Sequence, residues 1–407
     1  MAAPDEPDPA SFRAQARAWL ATHAGPYRPS ASPDLPSVVF ADAGDPTWVD
    51  RGRAWQAELR AGGWAGLGWP EAYGGRDLPL ALRAVWAEEL SVAGMPPPIN
   101  LLGETVVGPT VLDHGTEVQK RRFLAPILEA DELWCQLFTE PGAGSDLAAV
   151  TTTARRDGDG WVLDGHKTWT SGAHYADFAI LLARTDWDAP KHRGCTFFLV
   201  DMRQPGISVA PVRQMTGGSA FSDVVLAGAR TPDGLRLGDE GAGWAVATTA
   251  LRHERLHLGL GLARAGGSVE RLLAEIRPRG LADDPVVRQL AARLVTEARC
   301  ARHLGWRMLS LADAGAGPGP EAALAKLAAG RVSRRWDELA DAVRGAGAMV
   351  RDEYTPAQLW APATRIAGGT DEILKNVIAE RVLGLPAEPR TDASMPFRDV
   401  TRSDRPT

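Results

Sequence analysis

The sequence predicts an α+β, mainly helical protein: an N-terminal helical domain, a central antiparallel β-domain and a C-terminal four-helix bundle. Three observations carry this. The hydrophobic period is helical over about residues 8–130 and changes to short β-branched or aromatic-rich segments over about 131–235. It returns to long helical runs over about 241–384. Finally, 407 residues are more than one hydrophobic core accommodates, so several packed subdomains are expected. The expected division is 1–130, 131–235 and 236–388, with a polar tail at 389–407.

In the first region, amphipathic runs such as Ser11 to Thr22 and Leu80 to Ala93 read as helices, interrupted by Pro/Gly clusters at Gly66 to Gly75 and Met95 to Pro98. In the second, Leu133 to Thr139, Trp161 to Leu163, Phe178 to Thr185, Cys195 to Asp201, Ile207 to Val212 and Val224 to Leu226 read as strands. Asp164-Gly165 is the strongest short hairpin signal in the chain. Many short strands without intervening helices argue for an antiparallel sandwich or barrel. In the third, one helix is expected from near Gly243 to about Ile276, roughly 50 Å at 1.5 Å per residue. A second opens at Asp284-Pro285 and runs to about Ala312, and a third opens at Pro320, each with proline at the first helical position. A fourth starts near Thr370, which completes an antiparallel bundle. Glu388 to Thr407, polar with scattered proline, reads as a loose tail.

Composition excludes several functions. Hydrophobic residues make up 44% and charged residues 24%, ordinary for a globular protein. A net charge of -6 and a pI near 5.8, with no basic stretch interleaved with aromatics, give no basis for nucleic-acid binding. Cys135, Cys195 and Cys300 are odd in number and widely spaced, which fits a reducing cytoplasm rather than a disulfide framework or a paired metal site. The first residues show neither a charged n-region nor an apolar h-region, and no apolar run is long enough to span a bilayer. A soluble, cytoplasmic protein with no membrane contact is expected. Of the 14 tryptophans, Trp19, Trp55, Trp86, Trp306 and Trp336 fall at helix-like positions and are expected to pack; a functional role is read into Trp169 alone.

Four segments bear chemistry. In Gln136-Leu-Phe-Thr-Glu-Pro-Gly-Ala-Gly-Ser-Asp146 a strand runs into small residues that let the backbone approach a ligand, with hydroxyls from Thr139 and Ser145 at either end. Taken alone, Gly-Ala-Gly is better read as an ordinary tight turn. In Gly165-His-Lys-Thr-Trp-Thr-Ser-Gly172, Trp169 and Ser171 lie two apart on a strand and so face one side. An aromatic wall beside a hydroxyl suits a flat heterocycle, and a structural tryptophan fits equally well. Gly368-Gly-Thr-Asp-Glu-Ile373 is a helix start with Thr370 as N-cap, whose exposed N–H groups can also bind an anion. His253-Glu-Arg-Leu-His257 matches the zinc-protease pattern, with Glu270 or Glu275 available as a third ligand, but the extended form does not follow. A chance match is the better reading, and no metal is expected.

Together these segments resemble the acyl-CoA dehydrogenase family over about residues 10–388. Thr139-Glu-Pro-Gly-Ala-Gly-Ser-Asp146 is similar to one family motif, and Gly369-Thr-Asp-Glu-Ile with Asn376-Val-Ile-Ala-Glu-Arg-Val-Leu-Gly-Leu-Pro386 to another. The resemblance implies FAD as cofactor, α,β-desaturation of an acyl-CoA thioester, and an electron-transfer flavoprotein as reoxidant. It implies that Gln136, Phe138, Thr139, Gly144 and Ser145 line the flavin and its pyrophosphate, with Thr139 at the pyrimidine end. Trp169 would pack on the ring, Ser171 would sit near N5, and Thr370 and Glu372 would lie on the phosphate and ribityl side. Ser145 would also touch CoA, and the Gly368 N–H would polarise the thioester oxygen. Many members place the catalytic Glu just before Gly-Thr, where this chain has Gly368. A second lineage, the isovaleryl and long-chain type, places it on the first long helix ahead of an Arg, a pattern that Glu254-Arg255 matches. The resemblance therefore implies Glu254 as base, with Arg255 on the substrate side. An Arg-x-x-Phe-Gly stretch that reaches a neighbour's FAD in many members is replaced by Ile276-Arg-Pro-Arg-Gly280. A homo-oligomer (dimer or tetramer) is expected, with an α₂β₂ assembly as the alternative; oxidase or monooxygenase chemistry and a non-catalytic partner subunit also stay open.

Overall fold

The computed structural model describes residues 8–28, 47–263, 266–314, 319–389, 392 and 394–400. In chain order the elements are α1 (Pro9–His23), α2 (Trp48–Ala61), α3 (Leu80–Val92), α4 (Gly108–His114), α5 (Glu117–Glu129), β1 (Trp134–Leu137), β2 (Thr153–Asp157), β3 (Gly160–Ser171), β4 (Phe178–Arg184), β5 (Cys195–Asp201), β6 (Ile207–Val212) and β7 (Phe221–Pro232). There follow α6 (Gly243–Ala263), α7 (Gly266–Ala274), α8 (Pro285–Asp313), α9 (Glu321–Arg344), α10 (Thr355–Trp360) and α11 (Asp371–Val377). The mainly helical α+β class holds. The chain forms two compact units. A helical unit gathers the described residues of Met1–Val39, Asp77–Pro97 and Arg255–Pro386; a sheet unit gathers those of Phe40–Arg76, Pro98–Glu254 and Ala387–Thr407.

In the helical unit, Phe12, Ala16 and Leu20 recur every four residues and form the buried face of α1. Arg13 bonds Glu88 and Glu89 of α3 at 2.7 and 2.6 Å, and Arg302 of α8 reaches Glu88 at 3.0 Å, so both buried carboxylates are paired. Helix α8 starts where Asp284 accepts from the N–H groups of Val286 and Val287, with Pro285 at the first position as expected. Leu294, Ala301 and Met308 of α8 and Ala325, Val332 and Leu339 of α9 repeat every seven residues and share one core with Val269 and Leu272 of α7. Pro320 lies one residue outside α9, as its N-cap, rather than at its first position. The expected fourth long helix is short: α11 spans 7 residues before a wider turn at Ile378–Val382. The expected rod from Gly243 to Ile276 is helical in α6 and α7; its passage through 264–265 lies outside the described residues.

The sheet unit holds one seven-stranded sheet in the order β1-β4-β2-β3-β7-β6, with β5 also pairing β4. Continuous apolar runs make β4 and β5 buried nearly throughout; β4 pairs three strands, and β5 pairs β4 alone. Edge strand β6 alternates in burial and carries Pro211, which an edge tolerates. The sheet is mixed rather than wholly antiparallel, because β1 and β2 both meet β4 in parallel. The β2–β3 hairpin lies in the chain between β1 and β4, and this long connection is what a parallel pair requires.

Asp164-Gly165 is not a turn. It lies inside β3, paired to Ala227 and Leu226 of β7 beside a register shift. The turn is Gly158-Asp159, closed by the Asp157↔Gly160 pair, with Gly158 at φ +62°. Gly165 serves close approach instead, since a Cβ there would lie 2.3 Å from the Thr152 hydroxyl.

The tail is also not loose where it is described. Phe397 is 1% exposed and Val400 is buried; the Phe397 and Arg398 N–H groups donate to the carbonyls of Ala189 and Trp187, both at 3.0 Å. Among the described residues no helix is long and apolar enough to cross a membrane.

Candidate active site

The sheet unit carries Gln136, Phe138, Thr139, Gly144, Ser145, Trp169, Ser171 and Glu254; the helical unit carries Arg255, Gly368, Thr370 and Glu372. Pairing of Gln136 with Ile180 delivers the chain from β1 into the first motif. The Phe138 ring is buried against Phe197, 5.7 Å between centroids and nearly perpendicular, so the side chain packs in the core. Glu140 and Ala143 exchange two backbone hydrogen bonds of 3.1 and 3.0 Å, which close the turn at Pro141-Gly142. Beyond it a Cβ on Gly144 would meet nothing within 4 Å, and Ser145 is exposed. Asp146 is held by Lys191 at 2.8 Å.

Sequence reasoning assigned no role to the pair that fixes this segment. Lys167 of β3, fully buried, donates to the Phe138 carbonyl at 3.1 Å, the Leu182 carbonyl at 2.9 Å and Glu140 Oε1 at 2.9 Å. Glu140 also accepts from the N–H groups of Thr151 and Thr152 and from the Thr151 hydroxyl. Burial works to raise the Glu140 carboxyl, but the Lys167 charge and these hydrogen bonds prevail and hold it at about 2. The residues lie 27 apart in sequence, and no local pattern announces the contact.

Two residues after Lys167, the strand breaks its alternation. The register shifts between Lys167 and Thr170, and Trp169 takes φ +57°, a left-handed conformation costly for a non-glycine residue. The period-two argument that put Trp169 and Ser171 on one face therefore fails at the bulge. What the bulge does is turn the indole outward: Trp169 is 57% exposed, the one exposed tryptophan among the described residues, with its edge toward Phe221 at 5.7 Å. The Thr168 N–H donates to the Thr139 carbonyl at 2.8 Å, tying bulge and first motif together. Ser171 stays partly exposed and pairs with Phe221.

Glu254 is half-buried on α6. Gly243 lets this helix start against β5, since a Cβ there would lie 2.6 Å from the Thr196 backbone. The end of α4 then fixes its rotation. Asp113 accepts from Arg252 at 3.0 Å and lies 2.9 Å from His253 Nε2, while His114 Nε2 lies 2.9 Å from the Thr249 hydroxyl. The hydrogen bond from His253 holds the Asp113 carboxyl below its ordinary value. His253, half of the zinc-like pattern, is thus engaged by a carboxylate next to the candidate base.

In the helical unit Arg255 is exposed. Gly368 and Gly369 have φ of +66° and +100°, conformations suited to glycine. Thr370 caps α11 by accepting from the Ile373 N–H, Glu372 is exposed, and buried Lys326 donates to the Gly369 carbonyl at 2.7 Å. Asp371 pairs with Arg365 through Oδ2, whereas its buried Oδ1 has no hydrogen-bond partner among the described residues. That oxygen is an acceptor a ligand hydroxyl can satisfy.

An open glycine turn joined to an outward-turned indole can hold a flat aromatic group with an anionic extension, the mark of a nucleotide-type cofactor protein. Family models described as "Acyl-CoA dehydrogenase, N-terminal domain", "middle domain" and "C-terminal domain" match residues 37–131, 135–237 and 241–383. The acyl-CoA dehydrogenase IpdE1 of Mycobacterium tuberculosis is 39% identical over 396 residues, covering 94% of this chain and 99% of its own. Among solved structures, the Tcur3481-Tcur3483 steroid ACAD superposes with a TM-score of 0.82 at 30% identity, covering 95% of this chain and 100% of that one. The ChsE4-ChsE5 complex of Mycobacterium tuberculosis gives 0.78 at 30%, with the same coverage. The chain belongs to the acyl-CoA dehydrogenase family. It is an oxidoreductase acting on acyl-CoA, of a family whose members carry out FAD-dependent dehydrogenation. The residues fit that cofactor: nothing lies within 4 Å of a Cβ at Gly144, and the Trp169 indole is exposed.

Proposed function

We propose that the protein desaturates an acyl-CoA thioester between its α and β carbons, with Glu254 as the base that takes the α-proton. The observation that carries this is the placement of Glu254: half-buried, on a helix whose preceding residues Arg252 and His253 are both held by Asp113. Partial burial favours a carboxylate that retains the proton it abstracts. FAD, when bound, supplies the acceptor for the β-hydride. By family resemblance, Gln136, Phe138, Thr139, Gly144, Ser145, Trp169 and Ser171 would line its ring and pyrophosphate, and Thr370 and Glu372 are the residues assigned to a phosphate and ribityl contact. The Gly368 N–H meets the thioester oxygen as negative charge develops there, while Ser145 and Arg255 contact the substrate.

An electron-transfer flavoprotein accepts the electrons in this proposal, and the cytoplasm is its site of action. The division 1–130, 131–235, 236–388 and 389–407 belongs to the same reading, supported by where the three family models begin and end. Against the homo-oligomer expected from the sequence, the ChsE4-ChsE5 complex and the paired name of the Tcur3481-Tcur3483 enzyme support a hetero-oligomer as the assembly to test. Since one of them is a steroid ACAD, thioesters with a bulky polycyclic acyl group are the substrate class to test first. The experiment is anaerobic titration of the yellow protein with polycyclic, branched and straight-chain CoA esters. Bleaching by at least one ester supports the reading; no bleaching by any, or peroxide formed in turnover without an electron carrier, rejects it.

A further inference from the structure

The outer edge of the first motif runs from exposed residues into the buried Ala148, Ala149 and Val150. Gly144 and Ser145 are exposed, and Leu147–Ala149 forms only a single 3₁₀ turn. Two cations from the chain at and after the end of β4 hold this stretch. The Arg184 guanidinium, fully buried, donates to the carbonyls of Ala148 at 2.6 Å and Val150 at 3.0 Å. Lys191, 12% exposed, pairs with Asp146 at 2.8 Å. Each cation is in turn engaged by the C-terminal segment. Asp392 pairs with Lys191 at 2.6 Å, and the Phe397 ring lies 3.6 Å from the Arg184 guanidinium, close to Trp187 at 5.4 Å. The backbone bonds of Phe397 and Arg398 to Ala189 and Trp187, with an ion pair between Arg398 and Asp188, fasten the segment over the β4–β5 connection.

We propose that Asp392 and residues 394–400 act as a strap that sets the conformation of the 145–150 loop, with Asp392 and Phe397 as positioning residues acting through Lys191 and Arg184. An aromatic ring over a buried guanidinium replaces part of the water the cation loses, and the second carboxylate restricts where the Lys191 ammonium sits. Both cations then present fixed donors to the loop. A strap of this kind stabilises one loop geometry before substrate arrives, so its loss weakens binding more than it slows chemistry.

The test uses the FAD-loaded protein and compares wild type with Asp392→Asn, Asp392→Glu and Phe397→Ala. Backbone hydrogen exchange of a peptide spanning 145–150 is read beside peptides from α8 and α9. The expected result is exchange about tenfold faster or more at 145–150 in Asp392→Asn and Phe397→Ala, unchanged exchange in α8 and α9, and recovery in Asp392→Glu. Unchanged exchange at 145–150 in both variants overturns the strap, as does a uniform increase in all peptides. The steady-state arm rests on Ser145 as a CoA contact: the KM for an acyl-CoA that bleaches the wild type should rise about tenfold with kcat within about twofold. Faster exchange with unchanged KM upholds the strap and rejects that contact.

Discussion

Replacing Lys167 by methionine keeps the length of the side chain and removes its charge from a fully buried position. In the wild type, a carboxyl taken from its ordinary 4.5 to about 2 contributes about 3 kcal/mol at neutral pH. Because the folded value lies below the unfolded one, that stability is complete above about pH 5 and is lost as pH falls toward 2. Without Lys167, Glu140 retains its bonds from Thr151 and Thr152 but loses its counter-charge, and the carbonyls of Phe138 and Leu182 lose a donor. Leaving one member of a buried pair behind costs about 3–5 kcal/mol. Lys167→Met should therefore lower stability by about that amount at pH 7 and by less at pH 4, where Glu140 is protonated at small cost. The double variant Glu140→Gln/Lys167→Met should recover at least about 1 kcal/mol. Urea unfolding of these proteins and of the Glu140→Gln single variant, followed by tryptophan fluorescence at both pH values, provides the four corners of the cycle. A Lys167→Met protein within about 0.5 kcal/mol of wild type at pH 7, or an equal loss at both pH values, refutes the pairing argument.

Glycines separate local packing from ligand space. Gly165→Ala forces a methyl onto Thr152 and should cost about 1–3 kcal/mol, while Gly144→Ala should leave apoprotein stability within about 0.5 kcal/mol yet weaken FAD binding, read by flavin fluorescence. Trp169→Gly should stay within about 1 kcal/mol of wild type in apoprotein melting, because release of the left-handed strain offsets the lost contact, and should also weaken FAD binding. Trp55→Gly, at a buried position, should cost about 3–5 kcal/mol in the same assay. Asp113→Asn should lower kcat at unchanged flavin content, since it loosens the turn that precedes Glu254; unchanged kcat would remove Asp113 from the account.

What the sequence made legible follows from where the determining forces lie. Helices α8 and α9 and strands β4 and β5 were readable because seven-residue spacing, the Asp284-Pro285 cap and unbroken apolar runs are local signals. The hairpin was misplaced because Asp157-Gly158 and Asp164-Gly165 are equivalent signals, and only strand register assigns one to a turn and the other to a close approach against Thr152. The outward turn of Trp169 depends on a bulge opposite β7, and the Glu140–Lys167 pair on two segments meeting across the sheet, so neither has a local pattern. The tail looked loose because Phe397 and Val400 are few among polar residues, and their burial depends on Arg184 and Trp187 far upstream. Glu254 and Gly368 are proposed through motif resemblance; the contacts of Asp113 with Arg252 and His253, which hold the turn before Glu254, come from 139 and 140 residues upstream.

Proton removal itself is the most direct probe of the central claim. With a bleaching acyl-CoA bound anaerobically in D2O, deuterium incorporation at the α-carbon, followed by mass spectrometry, reports the base without requiring an electron acceptor. Glu254→Gln, loaded with FAD to the wild-type level, should incorporate deuterium about 100- to 10,000-fold more slowly. Incorporation within about threefold of wild type would mean that another group takes the proton.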